Sequence, residues 1–137
     1  MDKYREHGTY NIDIDSNTLI IDAKGPFNLE LITHYHADLC NSVEWLAVNV
    51  GVWDQIIILH EESLFTPDAA QKLTEVNLWK KTKGLDRSAI VLINPIGSLL
   101  ISKQLEKLYR EAGVKIQMFD NMVAAKRWLA QPNEANM

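Results

Sequence analysis

A histidine and two carboxylates follow the most apolar stretch of the chain. His60, Glu61 and Glu62 come directly after four branched aliphatic residues at 56–59, which suit a strand buried on both faces and are too few for a helix. Ligands of parallel sheets bind at the carboxyl ends of strands, and His and Glu are common general acids and bases. Successive strand side chains point to opposite faces, and no second His or Cys lies at metal-ligand spacing. We therefore favour a solvated loop and keep an enzyme that uses these three residues as an alternative.

The next helix begins at Thr66-Pro67-Asp68. Thr66 can cap the free amides, proline at the first helical position gives up no hydrogen bond, and Asp68 suits the positive end of the helix dipole. Thr66 and Asp68 are therefore candidates for a ligand or regulatory contact, together with His60 and Glu62 at the same edge of the sheet.

A second strand that is apolar on both faces, at 88–94, leads into the loop Pro95-Ile96-Gly97 and another helix. Asn94 and Ser98 flank this loop, and the amides at the helix start can hold an anion. The loop lacks the glycine density of a phosphate cradle. We keep Asn94 and Ser98 as candidate ligand contacts, with Ser98 on the inward face of its helix.

His34 and His36 lie on one predicted helix but do not form a metal site. Two residues apart, they diverge by about 200° around the helix, whereas helical ligands need a spacing of three or four. His36 falls on the inward face, and we expect it to be buried, bonded to backbone, and lowered in pKa by burial. Cys40 is expected to be a small buried thiol. The sequence predicts neither a metal nor a cofactor.

The periodicity of apolar residues predicts an α/β fold in the order β-β-α-β-α-β-α-β-α. The first two strands form a hairpin around Ser16-Asn17, and the first of them is a half-buried edge strand. We expect a single domain at 1–131, with Leu73, Leu105 and Leu108 on inward helix faces, and a frayed polar tail at 132–137. The predicted strands are 10–15, 18–24, 56–59, 88–94 and 115–119, and the predicted helices are 29–48, 67–83, 98–112 and 122–129.

The net charge of −4 conceals an uneven distribution. Residues 1–77 hold four bases and thirteen acids, whereas residues 78–137 hold ten bases and five acids. The group Lys80, Lys81, Lys83 and Arg87 is short and lies in an acidic chain that repels phosphates, so we predict no nucleic-acid partner. No apolar run approaches the ~20 residues that span a bilayer, and the first residues lack the apolar core of a signal peptide. We expect no integral membrane segment and a cytoplasmic location.

Two bulky residues of the second helix fall outside its inward stripe. These are Leu78 and Trp79, and Trp45 lies outside the stripe of the first helix in the same way. Exposed tryptophan is enriched where proteins meet. We predict a homodimer or partner surface that includes Leu78 and Trp79, with Lys80 and Lys81 on its rim. The alternative is that Trp79 folds over the edge of its own helix.

Short caps and turns follow one another in a distinctive order along residues 8–129. They are Gly25-Pro26-Phe27-Asn28, Thr66-Pro67-Asp68-Ala69, Gly84-Leu85, Glu111-Ala112-Gly113, Phe119-Asp120 and Trp128-Leu129. In this order they resemble the SpoIIAA-like proteins, a bacterial group related to the STAS domains of anti-anti-sigma factors.

The resemblance implies a mixed five-stranded sheet in sequential order, with the first strand antiparallel at the edge, and a fold group shared with SEC14-like lipid-binding domains. Anti-anti-sigma STAS domains carry a phosphorylatable serine in an Asp-Ser pair where this chain has Thr66-Pro67-Asp68. Proline cannot be phosphorylated and aspartate is already negative. The resemblance therefore does not extend to the serine switch, and Thr66 is the remaining acceptor.

These patterns favour a non-enzymatic regulatory or protein-interaction module without a cofactor, whose partner is another protein or a second copy. A small apolar-ligand or lipid-binding protein is the first alternative. It is suggested by the SEC14-like relation and by the strands that are apolar on both faces.

Overall fold

The computed structural model describes residues 8–132 and has the predicted order of elements. Of the predicted tail at 132–137, only Pro132 lies within the described residues. The strands are β1 (Thr9–Asp15), β2 (Thr18–Lys24), β3 (Trp53–His60), β4 (Leu85–Ile93) and β5 (Lys115–Phe119), and the helices are α1 (Leu29–Asn49), α2 (Pro67–Thr82), α3 (Ser98–Ala112) and α4 (Met122–Ala130).

The five strands form one mixed sheet in the order β1-β2-β3-β4-β5. β1 pairs antiparallel with β2, and all other neighbours are parallel. The α/β class, the sequential strand order and the antiparallel edge strand are therefore confirmed. Because β2 to β5 are parallel, β3 ends at His60 on the same edge of the sheet where β4 ends at Ile93.

The helices cover the two faces of the sheet unequally. α1, α2 and α3 pack on one face, against the strand residues Leu19, Ile57 and Ile90. α4 packs on the other face, where Ala125 joins Ile56 and Ala89. The predicted inward residues Leu73, Leu105 and Leu108 are all buried, as expected.

β3 and β4 each begin three residues before the apolar runs that predicted them. The added residues include Asp54, Gln55 and Arg87, which are polar but buried. Asp54 Oδ2 accepts from Arg87 at 3.3 Å, and Gln55 Nε2 donates to Ser88 Oγ at 2.9 Å. Apolar periodicity missed these residues because they are polar, and hydrogen bonds to each other and to α2 and α4 allow their burial.

The expectations that Ser98 and Cys40 point inward are wrong. Residues 94–100 are all exposed, because the start of α3 extends beyond the core and Ile101 is the first buried residue of the helix. Cys40 lies outside the buried stripe of α1, about 100° around the helix from Leu39, which is fully buried.

The predicted basic group does not form one surface. Lys80 and Arg87 are buried, Lys81 bonds to a backbone carbonyl, and Lys83 pairs with Glu44 at 2.6 Å. The prediction that Lys80 forms the rim of an interface is therefore wrong.

Candidate functional site

His60 is the last residue of β3, and its side chain contacts the neighbouring strand instead of the two carboxylates that follow it in sequence. Its Nε2 lies 2.8 Å from Asp22 Oδ1 of β2. Glu61 has a φ of 51° and turns away to pair with Lys24 at 2.6 Å, a hydrogen bond that lowers the Glu61 pKa. Glu62 is exposed. The structure therefore forms a His60–Asp22 pair and does not combine His60 with Glu61 or Glu62.

Thr66 caps α2 as predicted. Its Oγ1 accepts from the Ala69 amide at 3.4 Å and donates to Asp68 Oδ1 at 2.7 Å. The hydrogen bond from Thr66 lowers the pKa of Asp68, and the hydrogen bond from the Ala69 amide to the same carboxylate lowers it further. Thr66 and Asp68 thus act together on the first turn of the helix.

Asn94 and Ser98 lie in the exposed segment that connects β4 to α3. Asn94 has a φ of 45°, and Gly97 caps the helix without a side-chain bond. The Ile96 amide donates to the Glu61 carbonyl at 3.1 Å, so the backbone joins the two loops. Among residues 8–132, no side-chain hydrogen bond joins Asn94 or Ser98 to His60, Thr66 or Asp68. In the same part of the chain, no three His, Cys, Asp or Glu side chains are grouped as a metal would require.

An apolar cavity of about 40 Å³ lies between α1, the start of α2 and the sheet. Only apolar atoms face it. Two aromatic contacts shape its walls, with ring centroids 4.7 Å apart for Phe27 and Phe65 and 5.4 Å apart for Tyr10 and Tyr35. The lining includes Tyr10, Phe27, Leu31, Tyr35, Phe65 and Leu73.

Tyr10 links the edge strand to α1 beside this cavity. Its hydroxyl donates to the Asp38 carboxylate. Partial burial, together with this bond, raises the pKa of Tyr10 to about 12. The phenol therefore stays protonated, and remains a donor, at a pH where an ordinary tyrosine loses its proton.

A buried lysine lies at the centre of a polar group in the core. Lys80 of α2 is fully buried, and its Nζ donates to Tyr35 Oη at 2.7 Å and to Gln55 Oε1 at 2.6 Å. Gln55 Nε2 in turn donates to Ser88 Oγ at 2.9 Å and to Tyr109 Oη at 3.3 Å. We call these residues, with the adjacent Asn77, the Lys80 cluster: Tyr35, Gln55, Asn77, Lys80, Ser88 and Tyr109.

The Lys80 cluster contains no carboxylate. Among the described residues Lys80 has no ion pair, and burial lowers its pKa to about 7. Burial also raises the pKa values of Tyr35 and Tyr109. Asn77 lies beside the Tyr109 hydroxyl, but neither of its amide atoms makes a hydrogen bond of ordinary length and angle. Polar groups in the core thus surround an amine that has no counter-ion among the described residues.

Three large apolar side chains are exposed where α3 begins. Ile96, Leu99 and Leu100 are 60%, 69% and 59% exposed, and we call them the α3 tip. A shallow groove beside them is lined by Leu92, Pro95, Met118, Phe119 and Asp120.

Leu78 and Trp45 are exposed as predicted. Trp79 is half-buried and packs edge-on against His36, with ring centroids 4.8 Å apart. His36 is therefore only partly buried, and its neighbour is an aromatic ring where a backbone partner was expected. The predicted direction of its pKa shift is confirmed, because desolvation lowers it, with smaller effects of Lys72 and Lys80.

Sequence reasoning missed the Lys80 cluster and the α3 tip. Position 80 continues the inward stripe of Leu73 and Val76 at helical spacing, which was a usable signal. The leucines at 99 and 100 were another, because both fall outside the inward stripe of Ile101, Leu105 and Leu108 at helical spacing.

Comparison of the chain with protein-family models, curated proteins and solved structures finds no match. Between residues 8 and 132, none of the helices has the length and apolar character needed to cross a bilayer.

Proposed function

We propose that this chain is a non-enzymatic interaction module of the SpoIIAA/STAS-like type that binds a protein partner through the α3 tip. The observation that carries the proposal is the exposure of Ile96, Leu99 and Leu100 within five residues at one end of the sheet. Scattered exposed leucines are ordinary, whereas contiguous apolar patches mark surfaces that other molecules cover.

The charges around the α3 tip indicate the chemistry of the partner. Lys103, Lys107 and Arg110 are exposed further along the same helix, and so are Glu106 and Glu111. Interfaces combine an apolar centre with a polar rim. The partner is therefore expected to present an apolar contact bordered by charged groups of both signs.

A protein fits this surface better than an anionic membrane. Glu61 lies next to the tip, because its carbonyl accepts from the Ile96 amide, and Asp120 shares the adjacent groove with Pro95. Glu61 is already paired with Lys24. The Asp120 carboxylate would repel anionic lipid headgroups, whereas a protein partner can place a basic group beside it.

The proposal is tested with a Leu99→Ser/Leu100→Gln variant. Tagged wild-type and variant chains are cross-linked in native lysate, and the proteins captured with each are compared. We expect a partner that the wild type retains and the variant loses, while circular dichroism shows an unchanged fold, because neither leucine is buried.

Leu78→Ser is the matched control, because it removes one exposed leucine from a different helix. A partner lost equally with the control, or retained by the tip variant, would contradict docking through the tip. Sedimentation of the wild type with anionic vesicles, abolished by the tip variant, would indicate a membrane instead.

The apolar cavity supports a second candidate function, the binding of a small apolar molecule. Protein cavities lined only by apolar groups stay dry and accept apolar ligands. Binding of xenon, followed by NMR shifts of the methyl groups of Leu31 and Leu73, tests this candidate, because a volume of about 40 Å³ admits only a very small apolar guest. Shifts confined to residues remote from the cavity would contradict it.

A further inference from the structure

β5 is an edge strand of the sheet, and its outer side has no partner among the described residues. The strand order places β5 beside β4 alone. Between residues 8 and 132, no hydrogen bond outside the β4–β5 ladder reaches the main chain of residues 115–119. An unpaired edge of this kind is a template on which another strand can form.

The register of the sheet shows which main-chain groups of β5 face outward. Main-chain groups alternate in direction along a strand, and in β4 the Arg87 amide and the Ile93 carbonyl both bond toward β3. The even-numbered residues of β4 therefore face β5. In a parallel pair, a residue that faces its neighbour lies opposite one that faces away. Ile90 pairs with Met118, so Met118, and with it Ile116, directs its N–H and C=O groups outward.

The opposite edge of the sheet is protected, whereas β5 is not. On β1 the Ile14 amide donates to the Asp13 side chain at 2.9 Å, and Asp13 and Asp15 place exposed carboxylates along the strand. Charged residues along an edge discourage pairing with another strand. The one charged residue of β5 is Lys115, at its start, so the outward groups further along lie among uncharged side chains.

The apolar side chains of this edge are only half-buried. Ile116 and Met118 contact the core under α1, α2 and α3. Phe119 contacts Trp128 on the α4 face, with ring centroids 5.8 Å apart. All four side chains keep part of their surface exposed. A strand added to β5 would cover apolar surface on both faces of the sheet.

The carboxyl end of β5 adjoins the α3 tip. Met118 and Phe119 line the shallow groove together with Pro95, which directly precedes Ile96 of the tip. A segment that runs along β5 toward Asp120 therefore continues through this groove onto the tip.

We propose that the protein partner contributes an extended segment that pairs with β5 as an additional strand and continues onto the α3 tip. This inference rests on the proposed function, because one partner would occupy both surfaces. Strand addition draws its affinity from main-chain hydrogen bonds and its specificity from pockets that receive alternate side chains. Here the outward groups of Ile116 and Met118 supply the hydrogen bonds, and the groove supplies a pocket.

The charges at the two ends of β5 indicate the composition of this segment. Lys115 is exposed and has no ion pair among the described residues, and Asp120 is exposed directly after the strand. The two positions are about 17 Å apart along an extended chain. The segment should therefore place an acidic residue beside Lys115, a basic residue beside Asp120, and apolar residues at alternate positions between them.

Hydrogen exchange of the free wild type, followed by NMR, tests the state of the edge. The amides of Ile116 and Met118 should exchange about tenfold or more faster than those of Gln117 and Phe119, because only the latter two donate to β4. Equal protection of all four amides would overturn the proposal, since it would show that the outer side of β5 is already occupied.

Strand addition itself is tested with a synthetic heptapeptide in which valine and threonine alternate between a terminal lysine and a terminal glutamate. Because main-chain hydrogen bonds supply the affinity in this mode, a generic strand should bind at millimolar concentration. At saturation it should slow exchange of the Ile116 and Met118 amides about tenfold. The control peptide has proline in place of both threonines, which removes two donors. Absence of protection by the probe, or equal protection by the control, would overturn the proposal.

A matched pair of variants separates β5 from the tip in the capture experiment. Ile116→Pro and Ile116→Ala both lose the isoleucine side chain, but only proline removes an outward N–H group. The partner should be lost with Ile116→Pro and retained by Ile116→Ala, while circular dichroism shows that both variants keep the fold. The exchange measurements use the wild type and decide the proposal if the proline variant does not fold.

The capture experiment distinguishes the two levels of inference. A partner that Ile116→Pro retains and Leu99→Ser/Leu100→Gln loses would overturn pairing with β5 and leave docking through the tip. Equal loss with Ile116→Pro and Ile116→Ala would also overturn pairing, because the side chain and not the main chain would then make the contact. A partner retained by the proline variant and by the tip variant alike would overturn both.

Discussion

Lys80 completes the inward stripe of α2 after Ala69, Leu73 and Val76. Its four methylene groups can pack among these apolar side chains, and its amine reaches two polar acceptors on α1 and β3. The same residue would have stabilised the core more simply as a methionine or leucine.

The pH dependence of stability should report the burial of Lys80. The pKa of this amine is lowered from 10.5 to about 7, so between these values the unfolded chain binds more protons than the folded one. Stability must then rise as pH increases through this window. From pH 7 to 9 we expect a gain of about 2 kcal/mol in the free energy of unfolding, measured in urea, relative to Lys80→Met.

The pH range is limited by three tyrosines with the opposite effect. Burial raises the pKa values of Tyr10, Tyr35 and Tyr109, so near pH 10 the unfolded chain loses protons that the folded one keeps and stability falls. Lys103→Met, which removes an exposed lysine, should retain the wild-type slope between pH 7 and 9. An equal slope in Lys80→Met would show that its amine is solvated.

At the residue scale, burial can be predicted from the sequence where an apolar residue holds an inward position, but not where a polar residue does. Leu73 and Leu105 are apolar residues at inward positions, and their burial follows from helical spacing alone. Lys80 and Gln55 are polar residues at inward positions, and only their mutual hydrogen bond makes the burial possible. Such pairs join distant parts of the chain, so a local pattern cannot identify them.

At the scale of elements, Arg87 fixes α4 on the sheet. Its guanidinium donates to the carbonyls of Leu129 and Gln131 at 2.9 Å each, which are free acceptors at the end of that helix. It also pairs with Asp54 of β3 at 3.3 Å. One side chain thus joins two strands to a helix that buries little else.

Arg87→Met should lower the free energy of unfolding by about 3–5 kcal/mol, because it leaves the Asp54 carboxylate buried without its cation. Urea unfolding measures the loss, and hydrogen exchange should accelerate most in α4. Lys126→Met, on α4 itself, is the control, since its ammonium is exposed and 3.9 Å from Asp15. A loss below about 1 kcal/mol would show that α4 is held by apolar contacts alone.

The element order and the sheet were predictable because each helix and strand repeats its own apolar period and ends at a cap or turn. For the candidate residues at the strand ends, the sequence predicted which edge of the sheet they occupy but not which of their side chains are in contact. Which side chains meet there depends on backbone turns such as that of Glu61, whose positive φ directs it to Lys24 and leaves His60 to Asp22.

At the scale of the whole molecule, the fold brings the acidic and basic parts of the chain together. Lys83 and Lys126, from the basic part, lie beside Glu44 and Asp15 of the acidic part. Exposed pairs of this kind add little stability. They do reduce the charge separation suggested by the sequence, so apolar exposure is the better guide to an association surface.

Two apolar surfaces therefore compete for association, and they differ in extent. The surface predicted from the sequence is reduced to Leu78, which is 46% exposed, because Trp79 packs on His36 and Lys80 is buried. The α3 tip offers three apolar side chains together.

We expect Leu78→Ser to leave both the thermal stability and the mass measured by light scattering at high concentration unchanged. If the wild type self-associates, Leu99→Ser/Leu100→Gln should lower that mass to the monomer. A mass lowered by Leu78→Ser and not by the tip variant would assign the association surface to α2.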